Sequence, residues 1–275
     1  MGADAGWVAN ARMYAVTPGV RDAWRALLGW AGQEAGVPVR YVDHAAPASL
    51  ENLWARPDLA LAFACGYPFA SGRFAVRPVA APIPSPPRYG GRAVYWTDLV
   101  VRSDRPARTL DEALGGRIGW TVEHSQSGFN AVRHHLLGRR SPARPRLFRE
   151  SVGPLNTPRA VIDAVTAGRI DVGPIDSYVH DLLRLHDPDA VRDLRVIDRT
   201  FPTAIPLLVA SDALDAEAVE RLRAVLVAVR PDTPAVAEAM TSLLLAGFSA
   251  PDGTAYAELV RRADRADAAG YPRPA

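Results

Sequence analysis

The chain has 275 residues, which is enough for one large domain or two domains of medium size. Its net charge of +2 and its 23% of charged residues give no reason to expect nucleic acid or an anionic membrane as a partner. All 32 basic residues are arginine, which excludes a Schiff-base lysine and a P-loop lysine.

The single cysteine, Cys65, excludes an intrachain disulfide and a cysteine-based metal cluster. Residues 1–16 lack a charged segment followed by a long apolar run, so they do not read as a signal peptide. No stretch approaches the ~18 uninterrupted apolar residues of a membrane-spanning helix. We therefore expect no membrane insertion. The location predicted for the chain as written is cytoplasmic, or periplasmic if an export leader was lost or removed.

Strands and helices alternate in the first part of the chain. A strand is predicted at residues 8–16, and a helix starts at Thr17-Pro18. Further along this block, the patterns predict strands at 37–44, 59–66 and 73–82 and a short helix at 50–54.

The alternation continues through the second part of the chain. Strands are predicted at 93–103, 117–122, 146–153, 170–175, 194–200 and 205–211. Helices are predicted at 109–113, 127–138, 157–168 and 177–185, and the last ~60 residues are predicted to be helical.

This order predicts an α/β fold with two lobes, each a mostly parallel sheet flanked by helices. We assign residues 1–97 and 201–275 to a discontinuous lobe 1 and residues 98–200 to lobe 2. The chain would cross between them near Trp96–Leu99 and again near Asp198–Ile205. Ligands of such sheets bind beyond the carboxyl ends of the strands, which predicts a site in the cleft between the lobes.

The segment Ser125-Gln126-Ser127-Gly128 joins a predicted strand to a predicted helix. A helix N-terminus offers free backbone N–H groups and a partial positive charge, to which serine hydroxyls add donors. Gly128 would let a ligand or backbone approach closely. The segment therefore fits an anion site, but Ser125 or Ser127 could equally serve as an ordinary helix cap.

Two further strand-to-helix junctions carry polar side chains. Thr157 precedes Pro158 in one of them, and Asp176 precedes Ser177 in the other. For Asp176 a simple N-cap is the favoured interpretation. If Asp176 faced the cleft, it would need a cationic or hydroxyl-bearing ligand group.

Three tyrosines are candidates for lining the cleft. Tyr67 follows the strand at 59–66, Tyr95 lies at the first crossing, and Tyr14 ends the first strand. Aromatic residues at such positions can line a cleft, although they more often pack against the core. We predict no metal ligand, because the adjacent His134 and His135 lack the spacing of a helical metal pair, and no cofactor.

Four stretches follow one another in the middle of the chain: "YWTDLVV", "TLDEALGGRIGW", Ser125-Gln126-Ser127-Gly128 and "VTAGRIDVG". In this order they resemble the phosphonate-type solute-binding proteins of bacterial ABC transporters. In that family a strand "Y-W-S-x-L-I-V" is followed by "L-E-D-L-K-G-K", by an "S-T-S-G" helix start and by "V-A-x-G-x-V-D-A-G". The match covers about residues 95–185, and the flanks agree only in pattern.

The resemblance implies a two-lobed, type II periplasmic-binding-protein fold that closes by a hinge on a small oxyanion of the phosphate, phosphite or phosphonate class. It implies that residues 125–128 hold the anion and that Tyr95, Tyr67 and Thr157 complete the shell. It also suggests an ABC transporter permease as the partner of a monomeric, non-catalytic protein. Gln126 replaces the family's middle threonine, and the segment "FPTAIPLLV" lacks an acidic residue that some members carry, which argues against an amine-bearing phosphonate.

Enzymes provide the alternative function. Cytoplasmic enzymes of menaquinone synthesis and precursor proteins of thiamine synthesis use the same fold, so a lyase or hydrolase is the second hypothesis. Such an enzyme needs a titratable group at the cleft, and only Asp176, Asp98 and His124 qualify by position. A sensor that presents its bound state to another protein is a third hypothesis.

Overall fold

The computed structural model describes residues 6–46 and 48–275. By its internal contacts the chain forms two compact units. Of the described residues, those up to 94 and those in 204–253 form the first unit, and those in 95–203 and 254–275 form the second. Residues 1–5 were predicted to belong to lobe 1 and to a segment that is not a signal peptide. Both predictions lie outside the described residues.

The described part of the chain contains thirteen strands and eleven α-helices. The strands are β1 (Trp7–Asn10), β2 (Val39–Tyr41), β3 (Leu59–Ala64), β4 (Val76–Pro84), β5 (Val94–Tyr95), β6 (Thr97–Arg102), β7 (Arg117–Gly119), β8 (Glu150–Val152), β9 (Gly173–Asp176), β10 (Leu194–Arg199), β11 (Thr203–Ala204), β12 (Leu207–Ser211) and β13 (Leu245–Ser249). The helices are α1 (Pro18–Glu34), α2 (Leu50–Trp54), α3 (Gly66–Ala70), α4 (Leu110–Ala113), α5 (Ala131–Leu137), α6 (Pro158–Thr166), α7 (Ser177–His186), α8 (Pro188–Val191), α9 (Ala216–Ala228), α10 (Ala237–Ser242) and α11 (Gly253–Ala268).

The first unit is built on a six-stranded sheet with the order β13-β4-β12-β3-β1-β2. All six residues of β3 are buried, as expected for an apolar strand in the interior of a sheet. Helix α1 begins where the Thr17 hydroxyl accepts a hydrogen bond from the Val20 N–H and Pro18 occupies the first turn. Its buried face includes Trp24, which packs edge-on against Phe63 of β3.

The second unit contains a three-stranded sheet, β10-β6-β9, and the parallel pair β7-β8. A parallel bridge between Ile118 and Val172 lies just before β9, so the two sheets are linked at that point. Buried apolar residues from β6, β7 and α5 form one core cluster, which includes Leu99, Ile118 and Leu136. These elements hold the ends of β6, β7 and β9 in a fixed arrangement.

The predicted α/β class is confirmed, but the sheets are mixed rather than mostly parallel. Strand β1 pairs with β2 and β3 in parallel, whereas β12 pairs antiparallel with β3 and β4. The path of the chain explains the antiparallel pairs. Strand β12 comes from the segment that returns to the first unit, and it lies in the sheet between β3 and β4. Both neighbours of β6 are also antiparallel to it.

The C-terminal region differs from the sequence expectation in two ways. Residues 245–249, predicted to be helical, form β13 at the edge of the first sheet, where they pair antiparallel with β4. Leu244, with φ +52°, ends the helical conformation just before β13. Residues 254–275 group with the second unit rather than with the first.

Contacts of the last residues explain this grouping. The buried Arg133 guanidinium in α5 donates to the Asp267 carboxylate at 2.5 Å and to the Tyr271 carbonyl at 3.2 Å. The Tyr271 ring belongs to the core cluster of the second unit, and the Leu147 N–H donates to the Ala275 carbonyl. None of the helices in the described ranges combines the length and the apolar character needed to cross a membrane.

Candidate functional site

The segment Ser125–Gly128 forms the start of a helical segment in the second unit. Gln126–Asn130 is a π-helical turn that leads directly into α5, a local geometry that occurs often at functional sites. Ser125 is the N-cap residue, and its hydroxyl accepts a hydrogen bond from the Gly128 N–H at 3.0 Å. The Asn130 side-chain amide donates to the carbonyl groups of Glu123 and Ser125 and so fixes the backbone that precedes the turn.

Ser127 differs from Ser125 in what its hydroxyl contacts. The Ser127 side chain is half-buried, and its hydroxyl has no hydrogen bond to a residue in the described ranges. Its carbonyl group accepts a hydrogen bond from the Thr97 hydroxyl at 2.8 Å, which fixes the turn to the start of β6. Of the two serine hydroxyls, that of Ser125 therefore caps the helix, whereas that of Ser127 makes no hydrogen bond with a described residue.

Gly128 is required by a neighbouring side chain. A Cβ atom placed on Gly128 would lie 2.0 Å from the Thr121 Oγ1 atom and 2.8 Å from its Cγ2 atom. The close contact with Thr121 therefore excludes any larger residue at position 128. The Thr121 N–H donates to the Gly128 carbonyl at 3.3 Å, so both the backbone and the side chain of Thr121 contact the turn.

The loop before α6 lies next to this turn. The Asn156 N–H donates to the Thr121 carbonyl at 3.1 Å, and the Leu155 N–H donates to the Trp120 carbonyl at 3.0 Å. Thr157 follows as the N-cap of α6, with its hydroxyl accepting from the Ala160 N–H. The structure therefore brings the loop of Thr157 to the carboxyl end of β7, where the Ser125–Gly128 turn also begins.

Asp176 is the N-cap of α7. Its carboxylate accepts hydrogen bonds from the Tyr178 N–H at 2.8 Å and the Val179 N–H at 3.1 Å, and the residue is buried. In the sheet, Asp176 lies opposite Thr97, which also bonds the Ser127 carbonyl. Asp176 is therefore close to the turn, in the capping role that the sequence favoured.

A buried cluster of charged and polar side chains surrounds Asp98 of β6. The sequence patterns did not predict that these side chains come together. The Asp98 carboxylate, fully buried in β6, accepts from the Trp96 indole at 3.0 Å and the Arg199 guanidinium at 3.2 Å. The Nδ1 atom of His180, on α7, lies 2.8 Å from the Asp98 Oδ2 atom. The sequence held two signals for this cluster. Asp98 lies within an apolar strand, and His180 lies on the buried face of an amphipathic helix.

The three candidate tyrosines fall in different units. Tyr95, in β5, is buried and belongs to the second unit, as the turn does. Tyr14 and Tyr67 belong to the first unit. Tyr14 is fully buried and packs edge-on against Phe63 with ring centroids 4.9 Å apart, whereas Tyr67 is a half-buried residue of α3.

The arrangement in the second unit has groups that suit an anion. It offers backbone N–H groups, the Ser127 hydroxyl and the partial positive charge of a helical segment, all of which favour an anion. The nearby carboxylates of Asp98 and Asp176 are buried and accept hydrogen bonds from the protein. In the described part of the chain, no three His, Cys, Asp or Glu side chains come together as metal ligands.

Comparison with known proteins identifies relatives with the same fold. The sequence profile of the family described as "ABC transporter, phosphonate, periplasmic substrate-binding protein" matches residues 17–256. A binding protein component of an ABC phosphonate transporter from Pseudomonas aeruginosa superposes with a TM-score of 0.76 at 18% identity, over 96% of this chain and 88% of that chain. No curated protein matches the chain significantly.

Two ligand-bound structures are also similar. PhnD1 from Prochlorococcus marinus (MIT 9301), in complex with methylphosphonate, has a TM-score of 0.77 at 14% identity, over 96% of this chain and 99% of that chain. The alkanesulfonate-binding protein SsuA from Xanthomonas axonopodis pv. citri, bound to MOPS, has a TM-score of 0.60 at 15% identity, over 100% of this chain and 97% of that chain. These likenesses confirm the predicted type II periplasmic-binding-protein fold.

Proposed function

Because the chain belongs to the phosphonate-binding family of periplasmic substrate-binding proteins of ABC transporters, we propose that it binds a small phosphorus oxyanion at the Ser125–Gly128 turn. The observation that carries this assignment is the Ser127 hydroxyl. It is half-buried at the start of the helical segment 126–137 and makes no hydrogen bond with the described residues, while the cap is provided by Ser125.

The physical basis of binding is the first turn of this helical segment. The start of a helix carries the positive end of the backbone dipole, so an anionic oxygen is favoured there even though the Gly128 N–H donates to the Ser125 hydroxyl. Hydrogen bonds from N–H and O–H groups to an ionised oxygen are shorter and stronger than bonds between neutral groups. The Ser127 hydroxyl adds one such donor, and the bond from Thr97 to the Ser127 carbonyl holds it in place.

Related structures support the ligand class. PhnD1 is bound to methylphosphonate, and SsuA is named as an alkanesulfonate-binding protein; both ligand classes carry a tetrahedral oxyanion group. We extend this chemistry to the present chain, with phosphate, phosphite and phosphonates as the candidates. Thr157, Tyr95, Asp176, Tyr67 and Tyr14 remain proposed contributors to the site.

The proposal includes a transport partner and a mode of binding. The partner would be the permease of an ABC transporter, and ligand binding would favour a closed form of the two lobes without chemical conversion. The family match does not favour a lyase or hydrolase on the same fold.

The test is thermal melting of the protein in the presence of phosphate, phosphite, methylphosphonate, sulfate and small carboxylates. A ligand at ~100 times its Kd stabilises the folded state by about 2.7 kcal/mol, which raises Tm by several degrees. We expect a phosphorus oxyanion to raise Tm and to be recovered unchanged. A shift with only a carboxylate, or conversion of the ligand to a product, would refute the proposal.

A further inference from the structure

Thr121 has a hydroxyl that the fold buries without a partner. The residue is 5% exposed, and its Oγ1 atom has no hydrogen bond to a residue in the described ranges. Its backbone N–H and carbonyl groups are both engaged, with Gly128 and Asn156 respectively. An unsatisfied buried hydroxyl costs free energy, so native proteins retain such groups where something else binds them.

The position of this hydroxyl relates it to the oxyanion turn. The Oγ1 atom lies where a side chain on Gly128 would begin, because a Cβ atom at Gly128 would be 2.0 Å from it. The Gly128 N–H is held by the Ser125 hydroxyl, so the turn and Thr121 form one small hydrogen-bonded structure. Thr121 thus places an unpartnered hydroxyl against the fourth residue of the turn.

A second unpartnered donor lies beside it. The Trp120 indole is buried, and its Nε1 atom also has no hydrogen bond to a described residue. Trp120 and Thr121 directly follow β7 (Arg117–Gly119), and ligands of α/β sheets bind beyond the carboxyl ends of strands. Two neighbouring buried donors without hydrogen-bond partners therefore lie at this end of β7, next to the turn that is proposed to hold the anion.

We propose that Thr121 is a ligand-binding residue of the oxyanion site, with its hydroxyl donating a hydrogen bond to the bound anion. This inference rests on the proposed function, because it assigns a further donor to the same site. It makes a specific prediction about stability. Since the hydroxyl has no bond to lose in the free protein, its removal should weaken anion binding without lowering the stability of the free protein.

Thr121→Val tests this directly, because valine has nearly the same shape and lacks only the hydroxyl. We expect the Tm of the free variant to equal or exceed that of the wild type, and the Kd for methylphosphonate, measured by calorimetric titration, to rise about 10-fold or more. Thr121→Ser keeps the hydroxyl and should bind more tightly than Thr121→Val. Thr121→Ser and Thr121→Ala form a second pair that differs only in the hydroxyl, should the valine variant not fold.

Each other outcome has a definite meaning. A wild-type Kd in Thr121→Val, or equal Kd values for the Ser and Ala variants, would overturn the role of Thr121 while leaving the proposed function intact. A lowered Tm of free Thr121→Val with an unchanged Kd would identify a structural hydroxyl, satisfied in solution by water. If the wild type binds neither methylphosphonate nor phosphate, the proposed function itself fails, and this inference fails with it.

Discussion

Ser125 and Ser127 stand two residues apart, and their hydroxyls have different environments. The first accepts a bond from the Gly128 N–H, and the second has no bond with a described residue. Ser125→Ala should therefore lower the free energy of unfolding by about 1 kcal/mol through loss of the cap. Ser127→Ala should leave the Tm of the free protein nearly unchanged and weaken methylphosphonate binding by about 1–3 kcal/mol.

Melting of both variants and calorimetric titration of each would separate the two roles. The assignment would be contradicted if Ser127→Ala bound methylphosphonate as tightly as the wild type did. It would also be contradicted if the loss of stability were found in Ser127→Ala and not in Ser125→Ala.

Gly128 and Gly138, at the two ends of the same helical segment, make a matched pair. A Cβ atom at Gly128 would clash with Thr121, whereas one at Gly138 would meet nothing within 4 Å and has an ordinary helical backbone. We expect Gly128→Ala to cost about 1–3 kcal/mol of stability through overpacking. Gly138→Ala should be neutral or slightly stabilising, as replacing glycine in a helical conformation usually is. Urea unfolding of both variants measures the difference, and equal stabilities would show that Thr121 does not limit this position.

The sequence could predict part of the site at the residue scale. Two serines and a glycine at a strand-to-helix junction are visible as a pattern, and they indicated an anion site or a cap. Which of the two serines caps the helix could not be predicted, because it depends on which hydroxyl the Gly128 N–H contacts. Thr121 carries no local signal, since its lack of a hydrogen-bond partner arises only when the loop of Asn156 and the turn close around it.

Strand β6 and helix α7 are joined by the buried Asp98–His180 pair. Asp98→Ala removes the acceptor of hydrogen bonds from the Trp96 indole and the Arg199 guanidinium and the contact with the buried His180 ring, so it should lower the free energy of unfolding by about 2–4 kcal/mol. Asp104, just beyond β6, bonds Arg102 with a side chain that is 63% exposed, and Asp104→Ala should leave the free energy of unfolding nearly unchanged. Denaturant unfolding compares the two variants. A small loss in Asp98→Ala would show that the cluster adds little to the packing of these elements.

Helix α11 carries a carboxylate surrounded by arginines. The hydrogen bond from Arg261, with further contributions from Arg262 and Arg265, lowers the pKa of Glu258 from 4.5 to about 2. A pKa that is lower in the folded protein stabilises the fold above the unfolded value, and this stabilisation is lost as the pH falls from about 4.5 toward about 2. Glu258→Gln should therefore lose less stability than the wild type over this range. Unfolding measured at several pH values provides the test, and parallel curves would contradict it.

At the scale of elements, strong patterns were predicted well and short apolar runs were not. Helix α1 begins at Pro18 as its Thr17-Pro18 signal indicates, and the all-apolar β3 is buried as expected. Strand β1, in contrast, ends at Asn10, because the Asn10 side chain bonds the Val42 carbonyl and the Arg12 N–H. The run of β13 could be helix or strand by composition, and its pairing with β4 decides between them.

At the scale of the whole molecule, the order of strands and helices was sufficient to predict the α/β class. The distribution of the C-terminal residues was not predictable in this way. Helix α11 follows β13 of the first unit directly, yet its contacts through Arg133, Asp267 and Tyr271 are with the second unit. Such long-range ion pairs leave no periodic signal in the sequence.

The central claim is that the Ser125–Gly128 turn holds a phosphorus oxyanion, and amide NMR of the isotope-labelled protein titrated with methylphosphonate tests it most directly. Binding at the first turn of the helical segment should change the amide resonances of Gln126, Ser127 and Gly128 more than those of other residues, because the anion would lie against this turn and change the electrostatic environment of all three amides. Sulfate at the same concentration serves as the comparison. Unchanged resonances at these three residues, together with saturable changes elsewhere, would contradict the account.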